Sequence, residues 1–278
     1  IDMNQWERHK KAKAEIDDIM QNRDQWYAIH YLCTDFTQSE ESRITAIAIK
    51  KLGSPRSVSF SLHKSRQNLL AENPALNEED IDIEVLERDL LQNFLIFLYQ
   101  NPDLHYLHWN METAEYGFDA LKQRCKHVFG QTPVVVAKFN DENIEVPIRF
   151  STERMKCNLA QLLKDYYCDD YVKNPSDEDL GNIANLLYQN DMEPHFLSLE
   201  DEKKALETKN YFAIQNSARL KTEAFDKIIH MLVDGDLKAN KELAQGLKLN
   251  LQVRYEQAQF RCWWGLVTFF LGFFVSYF

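Results

Sequence analysis

The sequence has few of the residues that cross-link or interrupt a chain, with five cysteines, eight glycines and seven prolines among 278 residues. The cysteines are odd in number, lie far apart and form no Cys-x-x-Cys pair, which is typical of reduced thiols in a cytosolic setting and predicts no zinc site. The sequence also lacks a Gly-rich phosphate loop, a His-Glu-x-x-His pair and a recognisable Ser-His-Asp motif. An independent hydrolase therefore has no support in the sequence.

Positive charge is also scarce, because 32 Lys and Arg residues face 43 Asp and Glu residues and the formal net charge is −11. Proteins that coat nucleic acid without sequence preference neutralise phosphates with Lys and Arg, so this balance argues against such a role and leaves only a local basic groove open. The segment from Met3 to Met20 is charged and helical in pattern. It does not resemble a secretory signal peptide.

Long apolar runs are missing until the segment Cys262–Phe278, which carries no charge and follows Arg254 and Arg261. A helix over this run would span ~25 Å, just short of a hydrocarbon core of ~30 Å. The segment is a minimal anchor, the first part of a longer span, an interfacial helix or, alternatively, a buried core helix. The residues expected in the membrane are Trp263, Trp264, Phe269, Phe270, Leu271, Phe273 and Phe274, with the Trp pair suited to the headgroup boundary.

Periodicity predicts an α/β domain. A helix ends near Asn22, and residues 26–36, 44–49 and 57–62 read as a three-stranded meander because they alternate or are rich in β-branched and aromatic residues. Residues 67–80 are polar and predict a loop. A helical stripe from Ile83 to Leu98 follows, and then a short strand from Leu104 to Trp109 leads into another helix that we expect to carry Tyr116, Phe118 and Asp119.

This strand and helix contain the most informative motif, with His108 and Asn110 at the carboxyl end of the strand and Phe118 and Asp119 on the helix. Open α/β sheets place their ligands at that end of a strand. With the meander and the intervening helix, the order resembles the ribonuclease H-like fold of the DEDD 3′–5′ exonucleases. The resemblance implies a mixed sheet with flanking helices, and it makes His108, Asn110 and Tyr116 candidate partner-binding residues.

The resemblance also implies an active site, which is incomplete here. The first motif of the family is Asp-x-Glu, whereas this chain has Asp35-Phe36-Thr37, and the position of the last family Asp falls nearest to Ser217 or Lys221. Asp35 and Asp119 are then the only candidate catalytic and Mg²⁺ or Mn²⁺ ligands. Two-metal cleavage needs several carboxylates, so a scaffold that has lost catalysis is favoured over an active exonuclease. Each residue also has an ordinary structural explanation, such as a turn cap for Asp35 or a solvent-facing position for Asp119.

Later segments complete the expected organisation. Residues 133–150 predict a hairpin with its turn at residues 140–143, and Leu159–Lys164 and Leu180–Leu187 predict helices. Ile214, Phe225 and Leu232 suit one helix that packs back on the domain. Residues 236–261 carry an amphipathic stripe that predicts a helical stalk, either a passive spacer or a surface for self-association. The expected division is 1–235 for the exonuclease-like domain, 236–261 for the stalk and 262–278 for the membrane segment.

Two functions fit this organisation. In the first, a cytoplasmic domain anchored at the inner membrane binds a nucleic acid or protein partner, and the apolar tail perturbs the membrane. This arrangement is similar to toxic membrane-acting effectors of prokaryotic antiviral defence, such as those paired with retron reverse transcriptases and their RNA–DNA hybrids. In the second, the chain is a membrane-tethered, metal-dependent 3′–5′ exonuclease. One further acidic residue converging on Asp35 and Asp119 would favour the enzyme.

Overall fold

The computed structural model of the chain describes residues 5–34, 42–112, 116–130, 134–139, 142–147, 156–167, 186–188, 190–193 and 195–237. Asp35, the apolar segment 262–278 and all but the first two residues of the predicted stalk lie outside these ranges. Among the residues that the structure describes, no helix combines the length and the apolar character needed to cross a membrane.

Two sheets are present in the described part of the chain. Their strands are β1 Trp26–Cys33, β2 Ile44–Lys51, β3 Ser57–Ser61, β4 His105–His108, β5 Val134–Phe139, β6 Glu142–Pro147 and β7 Lys156–Asn158. The larger sheet has five strands in the order β3-β2-β1-β4-β7. Strands β1, β2 and β3 are antiparallel neighbours, whereas β4 and β7 run parallel to β1. The predicted meander and the α/β class with a mixed sheet are therefore confirmed.

Helices flank this sheet, and their bounds are α1 Gln5–Gln21, α2 Leu62–Glu72, α3 Ile83–Gln100, α4 Phe118–Val128, α5 Leu159–Tyr167, α6 Leu199–Glu207 and α7 Tyr211–Asp234. The prediction of a polar loop over residues 67–80 was wrong. Helix α2 occupies the first part, and a short 3₁₀ turn spans Glu78–Asp80. The hydroxyl of Ser61 caps α2 by accepting from the N–H of Lys64, and only Leu62 and Ser65 of the helix are buried. Because so few of its side chains are buried, α2 has a mostly polar sequence. A polar sequence is also typical of a loop, which is why the helix was predicted as one.

The core consists of two hydrophobic clusters that meet at strand β1. One cluster contains Ile29 and Tyr31 of β1 with Phe94 of α3. The other contains Ala28 of β1 with Phe225 of α7, together with residues of α1 and α5. Successive side chains of a strand point to opposite faces, so Ala28 lies on the face of β1 opposite to Ile29 and Tyr31. Both faces are covered, which explains why β1 and β2 are almost continuously buried.

Helix α7 packs on β1 and β2. The Asn210 side chain caps its start by accepting from the N–H of Ala213, and Gly235 ends it in the left-handed conformation. Its buried apolar residues include the three predicted from the sequence, Ile214, Phe225 and Leu232, together with Ile228 and Ile229. The predicted packing of this helix against the domain is confirmed.

The predicted hairpin is confirmed as strands β5 and β6, which pair only with each other in the described sheets. It contacts α3 of the domain, and Val146 is its buried contact residue. The hairpin therefore forms a separate two-stranded sheet beside α3 rather than an extension of the five-stranded sheet.

Candidate binding site at the carboxyl ends of strands β4 and β7

Four polar side chains meet where two parallel strands end. His108 is the last residue of β4, Asn158 is the last residue of β7, and the two are register partners. Asn110 and Glu112 follow β4 directly. We call these four residues, His108, Asn110, Glu112 and Asn158, the strand-end site. The carboxyl ends of parallel strands are where open α/β sheets bind their ligands.

Asn158 organises the strand-end site because its side-chain amide makes four hydrogen bonds, two through Oδ1 and two through Nδ2. Its Oδ1 accepts from the backbone N–H of Asn110 at 3.1 Å and from the N–H of Ala160 at 3.2 Å. Its Nδ2 donates to Oδ1 of Asn110 and to Oε2 of Glu112, both at 3.1 Å. Asn158 therefore caps the start of α5 and holds Asn110 and Glu112 in place at the same time.

The backbone of Asn110 adopts a left-handed conformation with φ of 49°. Asparagine tolerates this region better than most residues, because its short polar side chain bonds locally. The turn directs the backbone N–H of Met111 back to Nδ1 of His108 at 3.2 Å. The local sequence His108-Trp109-Asn110-Met111 thus closes on itself at the end of β4.

His108 is fully buried and is held as one neutral tautomer. Burial, with a smaller contribution from the positive charge of Lys156, lowers its pKa to about 3. Because Nδ1 accepts from the N–H of Met111, the ring proton lies on Nε2. Nε2 is buried and has no hydrogen-bond partner among the described residues. The nearest carboxylate oxygen, Oε1 of Glu112, is 3.8 Å away, which is too long for a hydrogen bond.

Tyr116 lies before α4 rather than on it, because the helix begins at Phe118. Its hydroxyl donates to the carbonyl oxygen of Tyr31 at 3.1 Å and lies 3.1 Å from Nδ1 of His30. Both of these residues belong to β1. Tyr116 therefore connects the segment after β4 to strand β1, whereas Asn158 connects the same segment to strand β7.

Gly117 brings this segment close to the turn after β4. A Cβ atom at this position would lie 2.7 Å from the carbonyl carbon and oxygen of Met111. The hydroxyl of Tyr31 accepts from the N–H of Gly117 at 2.9 Å. Only glycine permits this approach, so Gly117 fixes the distance between the strand-end site and the start of α4.

Of the two candidate metal ligands, Asp35 and Asp119, the structure describes only Asp119. Asp119 is exposed in the first turn of α4. Asp35 lies outside the described residues. Among those residues, no three His, Cys, Asp or Glu side chains lie close enough together to hold a metal ion. His108 cannot ligate through Nε2, because that nitrogen carries the proton. The described residues thus do not fit a two-metal centre.

Helix α7 directs a basic residue, rather than an acidic one, into the core next to β1. Nζ of Lys221 is 2.7 Å from Oε1 of Glu202, and that oxygen also accepts from the hydroxyl of Ser217 at 2.7 Å. Burial, with a smaller contribution from the Lys221 ammonium, lowers the pKa of His30 well below its ordinary value. The two positions nearest to the expected family Asp are therefore occupied by a buried hydroxyl and a buried ammonium.

The sequence analysis selected His108 and Asn110, which the structure places beside Asn158 and Glu112, but it did not select Asn158 or Glu112. Strand β7 has three residues, which is too short for alternation to be read from the sequence. A signal was nevertheless present, since an asparagine directly before the apolar helix Leu159–Tyr167 is a typical N-cap.

No protein-family model matches the chain, and no curated protein is significantly similar to it in sequence.

Proposed function

We propose that residues 1–235 form a ribonuclease H-like domain of the DEDD exonuclease type that binds a nucleic acid without cutting it. The strand order β3-β2-β1-β4-β7 supports the fold. An antiparallel meander is followed by two strands parallel to β1, with α3 before β4 and α4 before β7. This is the arrangement that the resemblance implies.

The observation that carries the binding function is the strand-end site. It combines the exposed carboxylate of Glu112 with two amide side chains at the sheet edge where open α/β sheets bind ligands. The packing of the core does not require the carboxylate of Glu112, whose side chain is 60% exposed. A group that is exposed and still held by Asn158 is suited to contact a partner.

The buried ammonium of Lys221 favours binding over cleavage. A phosphodiester-cleaving centre of this type needs carboxylates around two cations, whereas Lys221, at one of the α7 positions nearest to the expected Asp, supplies an ammonium that is already paired with Glu202. We assign the Lys221 ammonium a structural role as the ion-pair partner of Glu202. An active exonuclease remains the alternative outcome of the test.

The second part of the proposal concerns the apolar segment 262–278. Its sequence supports an effector in which the domain is restrained by its partner and the released or clustered tail perturbs the inner membrane. We propose a role in antiviral defence, similar to the toxic effectors paired with retron reverse transcriptases. The RNA–DNA hybrid of such a complex is the partner that we expect.

The test uses the full chain purified in detergent, with a labelled RNA–DNA hybrid, labelled single-stranded RNA and DNA, and either Mg²⁺ or Mn²⁺. We expect the strands to be bound and to stay intact. Degradation that disappears in Asp35→Ala would overturn the non-catalytic function and favour the exonuclease. In cells, deletion of residues 262–278 should remove toxicity and preserve binding. Toxicity without the tail would contradict the effector function.

A further inference from the structure

The outer surface of α1 is basic in a chain that is acidic overall. The formal net charge of the chain is −11, yet residues 8–13 contain no acidic residue and four basic ones, Arg8, Lys10, Lys11 and Lys13. The acidic residues of α1 are Glu7 and those from Glu15 onwards. Arg8 pairs with Asp165 of α5, whereas the three lysines are exposed and pair with no carboxylate among the described residues. Their charges are therefore available to a partner.

An exposed tryptophan lies on the same stripe of α1 as two of these lysines. Trp6, Lys10 and Lys13 follow one another at spacings of four and three residues, which places them on one face of the helix. We call these three residues the α1 face. Trp6 is 45% exposed, and its ring stacks on that of His9. Tyr166 of α5 fixes His9, because its carbonyl oxygen accepts from Nδ1 of His9 and the two ring centroids lie 4.7 Å apart. Neighbouring rings thus hold Trp6 at the surface.

This row of aromatic rings leads to the point where the chain leaves the domain. The ring of Tyr167 packs edge-on against that of Tyr166 at the end of α5. The Tyr167 hydroxyl donates to the carbonyl oxygen of Leu237 at 3.3 Å. Leu237 is the last described residue, and it is buried in the hydrophobic cluster that contains residues of α1 and α5. The connection to the apolar segment 262–278 therefore starts at the end of the row of rings that begins with Trp6.

We propose that the α1 face docks on the anionic lipid surface of the membrane that holds the apolar segment. This inference rests on the membrane-anchored part of the proposed function. A basic residue close to an anionic leaflet favours the docked state about fivefold, and tryptophan is enriched at the membrane–water interface. The α1 face offers both kinds of residue, and it adjoins the row of rings that ends at Leu237. Phosphates of a nucleic acid would also attract the two lysines, so the experiment must separate the two partners.

The experiment uses the full chain reconstituted into vesicles of phosphatidylcholine, alone or mixed with phosphatidylglycerol. Reductive methylation, whose reagents are uncharged, followed by mass spectrometry measures how accessible each lysine is. We expect Lys10 and Lys13 to be methylated roughly fivefold more slowly in the anionic vesicles than in the neutral ones. Lys64, which is exposed on α2, should react equally in both. Equal methylation of Lys10 and Lys13 in the two kinds of vesicle would overturn the inference.

Lys10→Glu provides the decisive variant, because the side chain is exposed and the change replaces a positive charge by a negative one. The slowing of Lys13 methylation by anionic lipid should disappear in this variant. Lys203→Glu, the same change at an exposed position on α6, should preserve the slowing. If Lys10→Glu instead weakens binding of the RNA–DNA hybrid and leaves the Lys13 methylation rates unchanged, the α1 face binds nucleic acid and the inference is wrong.

Flotation of the same vesicles separates failure of the inference from failure of the proposed function. A chain that floats with neither kind of vesicle is not anchored, and then the effector function and the inference both fail. A chain that floats with both kinds and shows no slowing at Lys10 and Lys13 is anchored by its apolar segment alone. In that case the effector function stands and only the docking of the α1 face is contradicted.

Discussion

Nζ of Lys221 and Oε1 of Glu202 lie 2.7 Å apart, with 1% and 10% of the two side chains exposed. The pair joins the middle of α7 to α6, and Ser217 adds a hydrogen bond to the same carboxylate oxygen. Charges removed from water are costly unless they are paired and hydrogen-bonded. This pair therefore holds α6 on α7 and explains how a lysine can be fully buried next to β1.

Glu202→Ala should destabilise the chain by about 3–5 kcal/mol, because it leaves the Lys221 ammonium buried without its counter-charge. Urea unfolding followed by circular dichroism measures this loss. The matched control is Glu223→Ala, which removes the partner of Arg219 in a partly exposed pair and should cost about 1 kcal/mol or less. Equal losses in the two variants would contradict a special role for the buried pair. Combining Glu202→Leu with Lys221→Met should recover much of the lost stability.

Gly117→Ala should destabilise the chain by about 1–3 kcal/mol, because the new methyl group overlaps the backbone of Met111 and the structure must shift. The shift displaces the turn that carries Asn110 and Glu112, so nucleic-acid affinity should fall as well. Thermal melting and anisotropy measure the two effects. Gly130→Asn is the control, since Gly130 has open space around it and asparagine tolerates its positive φ. Unchanged melting of Gly117→Ala would show that the close approach is not required.

Stability should decrease as the pH falls, because two buried histidines are held neutral. Burial lowers the pKa of His108 from 6.5 to about 3, so between these values the unfolded chain binds a proton that the folded chain does not. The associated stability is complete above pH 6.5 and is lost as the pH falls towards 3. The pKa of His30 is lowered in the same direction by burial and by Lys221.

His108→Gln should therefore flatten the pH dependence of the free energy of unfolding by about 1.4 kcal/mol per pH unit. Denaturant unfolding at several pH values within this window measures the slope, which is independent of any uniform loss of stability. His127→Gln, at an exposed position on α4, should leave the slope unchanged. A wild-type slope in His108→Gln would mean that His108 takes up no proton on unfolding.

Leu271→Arg should abolish recovery of the chain with membranes and any toxicity. A charge in the middle of the apolar run costs about 2.5–3.5 kcal/mol on insertion scales, and the run is already of minimal length. Gln259→Arg, which adds the same charge before the run, should fractionate like the wild-type chain. Fractionation and growth assays check both variants. Membrane recovery that is unchanged in Leu271→Arg would show that the segment does not insert at that residue.

Elements whose patterns are long or strongly periodic could be predicted from the amino-acid sequence alone. The alternation in Ile44–Lys51 and Ser57–Ser61 and the stripe of Ile83–Gln100 are local properties of the chain, so the meander and α3 could be predicted. His108 and Asn110 could be selected because they directly follow a predicted strand. Helix α2 could not, since it buries too few residues for a clear stripe.

Which polar residues meet depends on how the strands pair and the helices pack. Asn158 is 48 residues from Asn110 along the chain, and their contact exists because β7 pairs with β4 in parallel. Glu202 likewise pairs with Lys221 only because α6 folds onto α7. Local patterns report which face of an element is buried, but they carry no information about the partner on the other side. Strand pairing and helix packing bring distant polar groups together, and that is where the strand-end site and the buried charge originate.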